Sequence, residues 1–231
     1  MELRVLSWNI RAGGGSRAPQ LVRAVVKTSA AIVVLSEYRN NDAGITIRHK
    51  LLQAGYRYQA VTHAMGTANS VLLVSKLPFA SELHPAADDV YSANIVTAHF
   101  AAFSLVGVYL PHKKKHQLLP YMTDIVSNHS QPYVIAGDYN TGKNYVDQKG
   151  NSFMYTDELS ALEQAGMTDA FRLVHGEAEE YSWYSHQGNG YRYDHTYVSA
   201  ALAATVKDCY YIHDYRESGL SDHSAMMLTM G

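Results

Sequence analysis

The sequence holds a single cysteine, Cys209, among 231 residues. An intramolecular disulfide and a multi-cysteine zinc site are therefore excluded, and a reducing, cytoplasmic setting is the expectation. No apolar run approaches the roughly 20 residues that a membrane-spanning helix needs. The first residues show no basic segment followed by an apolar stretch and a small-residue cleavage site, so no secretory leader is expected. Positive charge is not in excess: 19 Lys and Arg stand against 21 Asp and Glu, a formal net charge of −2. Capture of a partner by a global positive field is disfavoured, whereas a local basic patch is still allowed. Charged residues make up only 17% beside 47% hydrophobic ones, which argues against disorder and for a globular core. Tryptophan and phenylalanine are few, at 2 and 5, against 18 tyrosines. Tyr181, Tyr184, Tyr191, Tyr193, Tyr197, Tyr210, Tyr211 and Tyr215 crowd the last quarter of the chain. A tyrosine ring with its polar end suits a wet binding surface, although strands favour aromatics in any case.

No linker, low-complexity tract or short repeat interrupts the chain, so one domain over residues 1–231 is expected. Apolar patterning predicts strands over 3–8, 31–35, 56–62, 70–75, 94–100, 103–110, 133–136, 193–198, 206–212 and 225–229. Leu21, Val22, Val25 and Val26 after Pro19 form one helical stripe, and Leu118, Leu119, Met122, Ile125 and Val126 another. Further helices are predicted over 46–54, ended by Gly55, and over 156–165, capped by Thr156 and ended by Gly166. Several neighbouring strands have no helix between them, so hairpins are required. Two mostly antiparallel sheets packed face to face with helices outside fit this order, an α/β (α+β) class.

The polar residues sit where function is usually placed. Asn9, Glu37, Tyr109, the Asp138/Asn140 pair, Asp194 and the Asp222-His223 pair each fall at the end or edge of an apolar strand-like run. If those ends converge, several carboxylates meet one histidine and two carboxamides. Clustered carboxylates repel unless a cation or proton accompanies them, and oxygen-rich sets select hard ions such as Mg²⁺ or Mn²⁺. Residues 137–143, Gly-Asp-Tyr-Asn-Thr-Gly-Lys, match the glycine–lysine part of a nucleotide-binding P-loop. Asn144 stands where Ser or Thr would bind Mg²⁺, and no clear helix pattern follows, so the P-loop is rejected.

Six short motifs carry a resemblance. They are Ser7-Trp8-Asn9-Ile10, Ser36-Glu37, Gly107-Val108-Tyr109-Leu110-Pro111, Gly137-Asp138-Tyr139-Asn140, Arg192-Tyr193-Asp194 and Ser221-Asp222-His223. In this order the chain resembles the endonuclease/exonuclease/phosphatase superfamily, which includes AP endonucleases of the exonuclease III type and DNase I. The resemblance implies a four-layer αββα sandwich. It also implies Glu37, Asn9 and Asp222 at a divalent metal, Asp194 orienting His223, and Asp138 and Asn140 holding the attacking water. Tyr109 would donate to a phosphate oxygen. These are the parts that in-line phosphoester hydrolysis needs.

Two positions depart from AP endonucleases: Arg11 stands where they usually carry an acidic or small polar residue, and His112 replaces a frequent Asn or Gln. Arg11, His112 and Lys113, in the basic run 112–116, are candidate phosphate contacts, and Trp183, Tyr191 and Arg192 are candidates to contact the nucleotide. DNA is the substrate expected, acted on by a monomeric AP endonuclease, 3′-5′ exonuclease or general nuclease. A small or lipid phosphoester, and a non-catalytic binding domain of the same fold, are the alternatives.

Overall fold

A computed structural model of the chain describes residues 2–63, 66–84, 92–128 and 131–231. Two parallel strand pairs organise it. β1 (Leu3–Asn9) runs parallel to β2 (Ile32–Tyr38), which forces a crossover between them. Helix Ala18–Lys27 makes that crossover, with Pro19 in its first turn and Leu21, Val22 and Val25 buried on one side. In the same manner β7 (Ser104–Tyr109) and β8 (Tyr133–Asp138) are parallel and joined by helix Lys115–Ser127.

Antiparallel strands extend each pair into a six-stranded sheet. The first sheet has the order β13 (Val206–Ile212), β14 (Ala225–Met230), β1, β2, β4 (Ser70–Ser75), β3 (Tyr58–Val61). The second has the order β5 (Ala80–Leu83), β6 (Ile95–His99), β7, β8, β12 (Asp194–Ser199), β9 (Met167–Asp169). A short hairpin, β10 (Trp183–Tyr184) and β11 (Gly190–Tyr191), stands beside them.

Strand alternation then builds three apolar layers. Val34, Val71, Val96, Leu105, Val134, Val198 and Met226 fill the space between the sheets. Leu6, Val33 and Leu35 point the other way, against Leu21, Val22, Val25, Ile47 and Leu51 of the helices over the first sheet. Val106, Val108, Ile135 and Tyr197 do the same beneath Leu118, Leu119, Met122, Leu159 and Leu162 over the second. Burying each such side chain contributes roughly 1.5–3 kcal/mol. The result is the αββα sandwich.

Some boundaries differ from the sequence reading. The helix placed at 46–54 spans Asp42–Gln53, because the Asn41 side chain caps it by accepting from the Gly44 N–H at 3.1 Å. Thr156 is the first helical residue rather than the cap; Tyr155 precedes the helix at φ +67° with no side-chain cap. β5 is exposed along its whole length and β9 has three residues, so neither carries a periodic apolar signal.

Candidate active site

The parallel pairs bring their carboxyl ends to one rim. β1 ends at Asn9, β7 at Tyr109 and β8 at Asp138, while Glu37 lies next to the end of β2. In the second sheet Tyr109, Asp138 and Asp194 are register partners on three adjacent strands. The Asn9 amide crosses from the first sheet and donates to Asp138 Oδ2 at 2.8 Å. Asn140 donates twice to the same carboxylate, from its backbone N–H to Oδ1 at 2.9 Å and from Nδ2 to Oδ2 at 3.2 Å.

His223 lies just before β14, and its Nδ1 is 2.7 Å from Asp194 Oδ2. One ligand atom each of Asp138, Asp194 and His223 falls within 4.8 Å of the others. Burial raises Asp138 above the ordinary carboxylate range, and the Asp194 charge adds to it, against the opposing pull of His223. Burial alone would lower His223, but the carboxylates of Asp194 and Asp138 outweigh it and hold the imidazole in its cationic form. Asp194 Oδ1 is buried and has no hydrogen-bond partner among the described residues.

Glu37 forms the second half of the site. Its Oε2 accepts from the Ala12 N–H at 2.7 Å, and its Oε1 accepts from the Tyr109 hydroxyl at 3.3 Å. Asn69 donates to that hydroxyl at 3.3 Å and is itself held by Arg39 Nε at 2.8 Å. Burial, reinforced by the Glu37 charge, pushes the Tyr109 phenol up, so it remains a donor. Asn9 is held on both sides by neighbours of the other two candidate oxygen ligands: its side-chain oxygen accepts from the Arg11 N–H, and its carbonyl accepts at 2.6 Å from the Oγ of Ser221, the residue before Asp222. Glu37, Asn140, Arg11 and Ala12 all have positive φ, at 56°, 49°, 53° and 51°. Such backbone strain, about 1–3 kcal/mol for each non-glycine residue, clusters where function dictates geometry.

The donor set of Glu37, Asn9 and Asp222 is all oxygen, which fits a hard divalent cation. Asp194 and His223 already engage each other, so that pair fits proton handling better than metal ligation.

The aromatic candidates gather beside His223. The Trp183 ring centroid lies 5.8 Å from that of Tyr191 and 5.5 Å from that of Tyr193, while Tyr191 and Tyr193 stack at 5.3 Å. Tyr193 meets His112 edge-on at 5.9 Å. A cleft of about 250 Å³ opens there, lined among others by His112, Lys115, Asn140, Phe153, Tyr191 and Tyr193. Arg11 and Lys113 are exposed at the rim.

Arg192 is not part of this surface. It is fully buried, with Nε 2.7 Å from Asp147 Oδ1 and Nη2 2.5 Å from Asp169 Oδ2. Its Nε and Nη2 are engaged by carboxylates inside the protein, tying the 143–153 loop to β9, and the side chain is sealed from solvent, which corrects the expectation of a substrate contact. The basic run 112–116 is also not a uniform surface patch, because Lys115 points inward and is buried. Sequence reading missed Asn69, Arg39 and Arg17; Arg17 donates to the carbonyls of Leu220 and Arg11 and so ties the loop after Asn9 to the segment before Asp222. In the rejected P-loop stretch, Lys143 pairs with Glu163 and no helix follows within 144–155.

Comparison with known proteins agrees with this fold. Over 98% of both chains, the protein is 25% identical to the exodeoxyribonuclease of Streptococcus pneumoniae. An AP endonuclease from Archaeoglobus fulgidus superimposes with a TM-score of 0.87 at 17% identity, covering 99% of each chain. The 3′ phosphatase NExo from Neisseria, bound to product DNA hairpin, gives 0.86 at 22% identity over 99% of each chain. The 3′-5′ exonuclease NExo from Neisseria meningitidis gives 0.84 at 22% identity over 98% of each chain. A family profile matches residues 6–223, and the chain belongs to the Endonuclease/Exonuclease/phosphatase family.

Proposed function

We propose that this chain, acting as one domain, is a divalent-metal-dependent phosphodiesterase that hydrolyses DNA. The observation that carries the reading is the Asp138–Asp194–His223 cluster facing the rim that also holds Glu37. DNA as substrate is supported by the relatives named above.

Asp138, made more basic by burial, accepts the proton of the attacking water, and Asn140 orients that water. His223, cationic and steered by Asp194, offers its remaining ring N–H to a phosphate oxygen. Tyr109 donates to a second oxygen. Glu37, Asn9 and Asp222 would hold Mg²⁺ or Mn²⁺, which when bound neutralises charge on the phosphate. Arg11, His112 and Lys113 contact backbone phosphates, and Trp183, Tyr191 and Tyr193 stack on sugar or base. Among the described residues no helix is long and apolar enough to cross a membrane.

The test is a gel assay in Mg²⁺ or Mn²⁺ with labelled duplex, single strand and duplex bearing one abasic site. Cleavage of any of them supports the reading, and the cutting pattern names the mode. No cleavage of all three, with turnover of a small phosphodiester, would replace DNA by the small-phosphoester alternative.

A further inference from the structure

Lys115 is a buried ammonium that the chemistry above leaves unused. It opens helix Lys115–Ser127 and is only 4% exposed. Its Nζ donates to the Asn140 carbonyl at 2.6 Å and lies 3.5 Å from His112 Nδ1 and 5.9 Å from the Tyr155 ring centroid. These partners are neutral. Burial accordingly lowers its pKa, while the Asp138 charge pulls the other way. Burying a cation costs free energy unless its hydrogen bonds compensate, so the carbonyl contact is a strong, charge-assisted one.

The acceptor is the informative part. Asn140 sits at φ +49° and both its amides hold the Asp138 carboxylate. A backbone in that region persists only where its surroundings fix it. The stem of Lys115 is anchored in turn, because Leu118, Leu119 and Met122 of the same helix are in the core. We propose that Lys115 is a positioning residue that locks the Asn140 backbone and through it aims the Asp138 carboxylate. The inference builds on the roles given to Asp138 and Asn140 above. Misplacement of such groups by about 1 Å can cost on the order of 10²-fold in rate.

The test uses the full chain with two variants, Lys115→Met and Lys115→Ala, on whichever oligonucleotide the wild type cleaves. Lys115→Met keeps the stem and is expected to lower kcat by roughly 10- to 100-fold with KM nearly unchanged. Ethylammonium chloride is expected to restore part of the kcat of Lys115→Ala, whereas sodium chloride at equal concentration does not. An unchanged kcat, a loss confined to KM, or equal rescue by both salts overturns the proposal. A separate readout needs no substrate: the Thr141 amide shares a peptide plane with the Asn140 carbonyl. Its NMR resonance is expected to move in Lys115→Met, and a fixed resonance also overturns the proposal. A wild type inactive on DNA with a shifted Thr141 resonance rejects the DNA reading alone.

Discussion

His223 and Asp194 meet through one 2.7 Å contact, from Nδ1 to Oδ2, although 29 residues separate them. Trp8 adds a second constraint, donating from Nε1 to the His223 carbonyl at 3.1 Å. The imidazole is therefore fixed at its ring and at its backbone, and its positive charge is stabilised by a buried anion. Substituting Asp194→Asn leaves the shape and removes the charge. Turnover on the preferred oligonucleotide is expected to fall by roughly 10²- to 10⁴-fold, and His223→Ala by a similar or larger factor. Circular dichroism of both variants should match the wild type. Wild-type rates in both would remove the site assignment.

EDTA is expected to abolish activity, and added Mg²⁺ or Mn²⁺ to restore it. Glu37→Gln keeps the acceptor for the Ala12 N–H but halves the anionic character of the oxygen set. It should shift the metal concentration for half-maximal activity upward by at least tenfold, about 1.4 kcal/mol. Full activity in EDTA would sink the metal reading.

Arg192 lies between two buried carboxylates, so its removal exposes the fold rather than the chemistry. Arg192→Met takes the guanidinium from the buried Asp169 and leaves Asp147 with Arg172 alone, at a cost of about 3–5 kcal/mol read from denaturant unfolding. Arg192→Lys should recover only part of this, because an ammonium cannot serve both carboxylates as the planar fork does. Burial alone would raise both aspartates, but Arg192 holds them below the usual carboxylate range. Their contribution is thus complete above the unfolded value, about pH 4, and is lost as pH falls below it. Acid unfolding monitored at a series of pH values should be steeper in the wild type than in an Asp147→Asn, Asp169→Asn, Arg192→Met triple variant.

Gly137 precedes Asp138 and presses on the neighbouring strand. A Cβ there would stand 2.0 Å from the Val108 carbonyl oxygen, which also accepts from Ser36 Oγ at 2.9 Å. That oxygen is backbone and cannot swing aside. Gly137→Ala is expected to lower both the thermal midpoint and kcat, since relief of the clash displaces Asp138. A variant with unaltered midpoint and rate would show that β8 tolerates the shift.

The strand ends were legible because apolar runs and their polar terminators lie next to each other in sequence. Asn9, Glu37, Tyr109, Asp138, Asp194 and His223 are each local to one strand. What escaped depends on distant partners. Arg192 shares a phase with Asp194, so it read as a surface residue. Asp147 and Asp169, 45 and 23 residues away, turn it into a core ion pair. Asn69 lies in a loop with no pattern at all. Lys115 did carry a signal: it occupies the first place of the stripe completed by Leu118, Leu119 and Met122, a position that faces the core. Grouping it with Lys113 by charge hid its helical phase.

The two tryptophans flank His223 at different depths. Trp8 is sealed in the core, its indole fixed to the His223 carbonyl, while Trp183 is half-buried at the aromatic wall. A base or sugar settling on that wall changes the surroundings of Trp183 and leaves those of Trp8 intact. Intrinsic fluorescence therefore divides into a component that reports occupancy and a constant one that serves as its reference. Trp183→Phe should abolish the ligand-dependent part and keep the rest, so the chain carries its own binding gauge without a label.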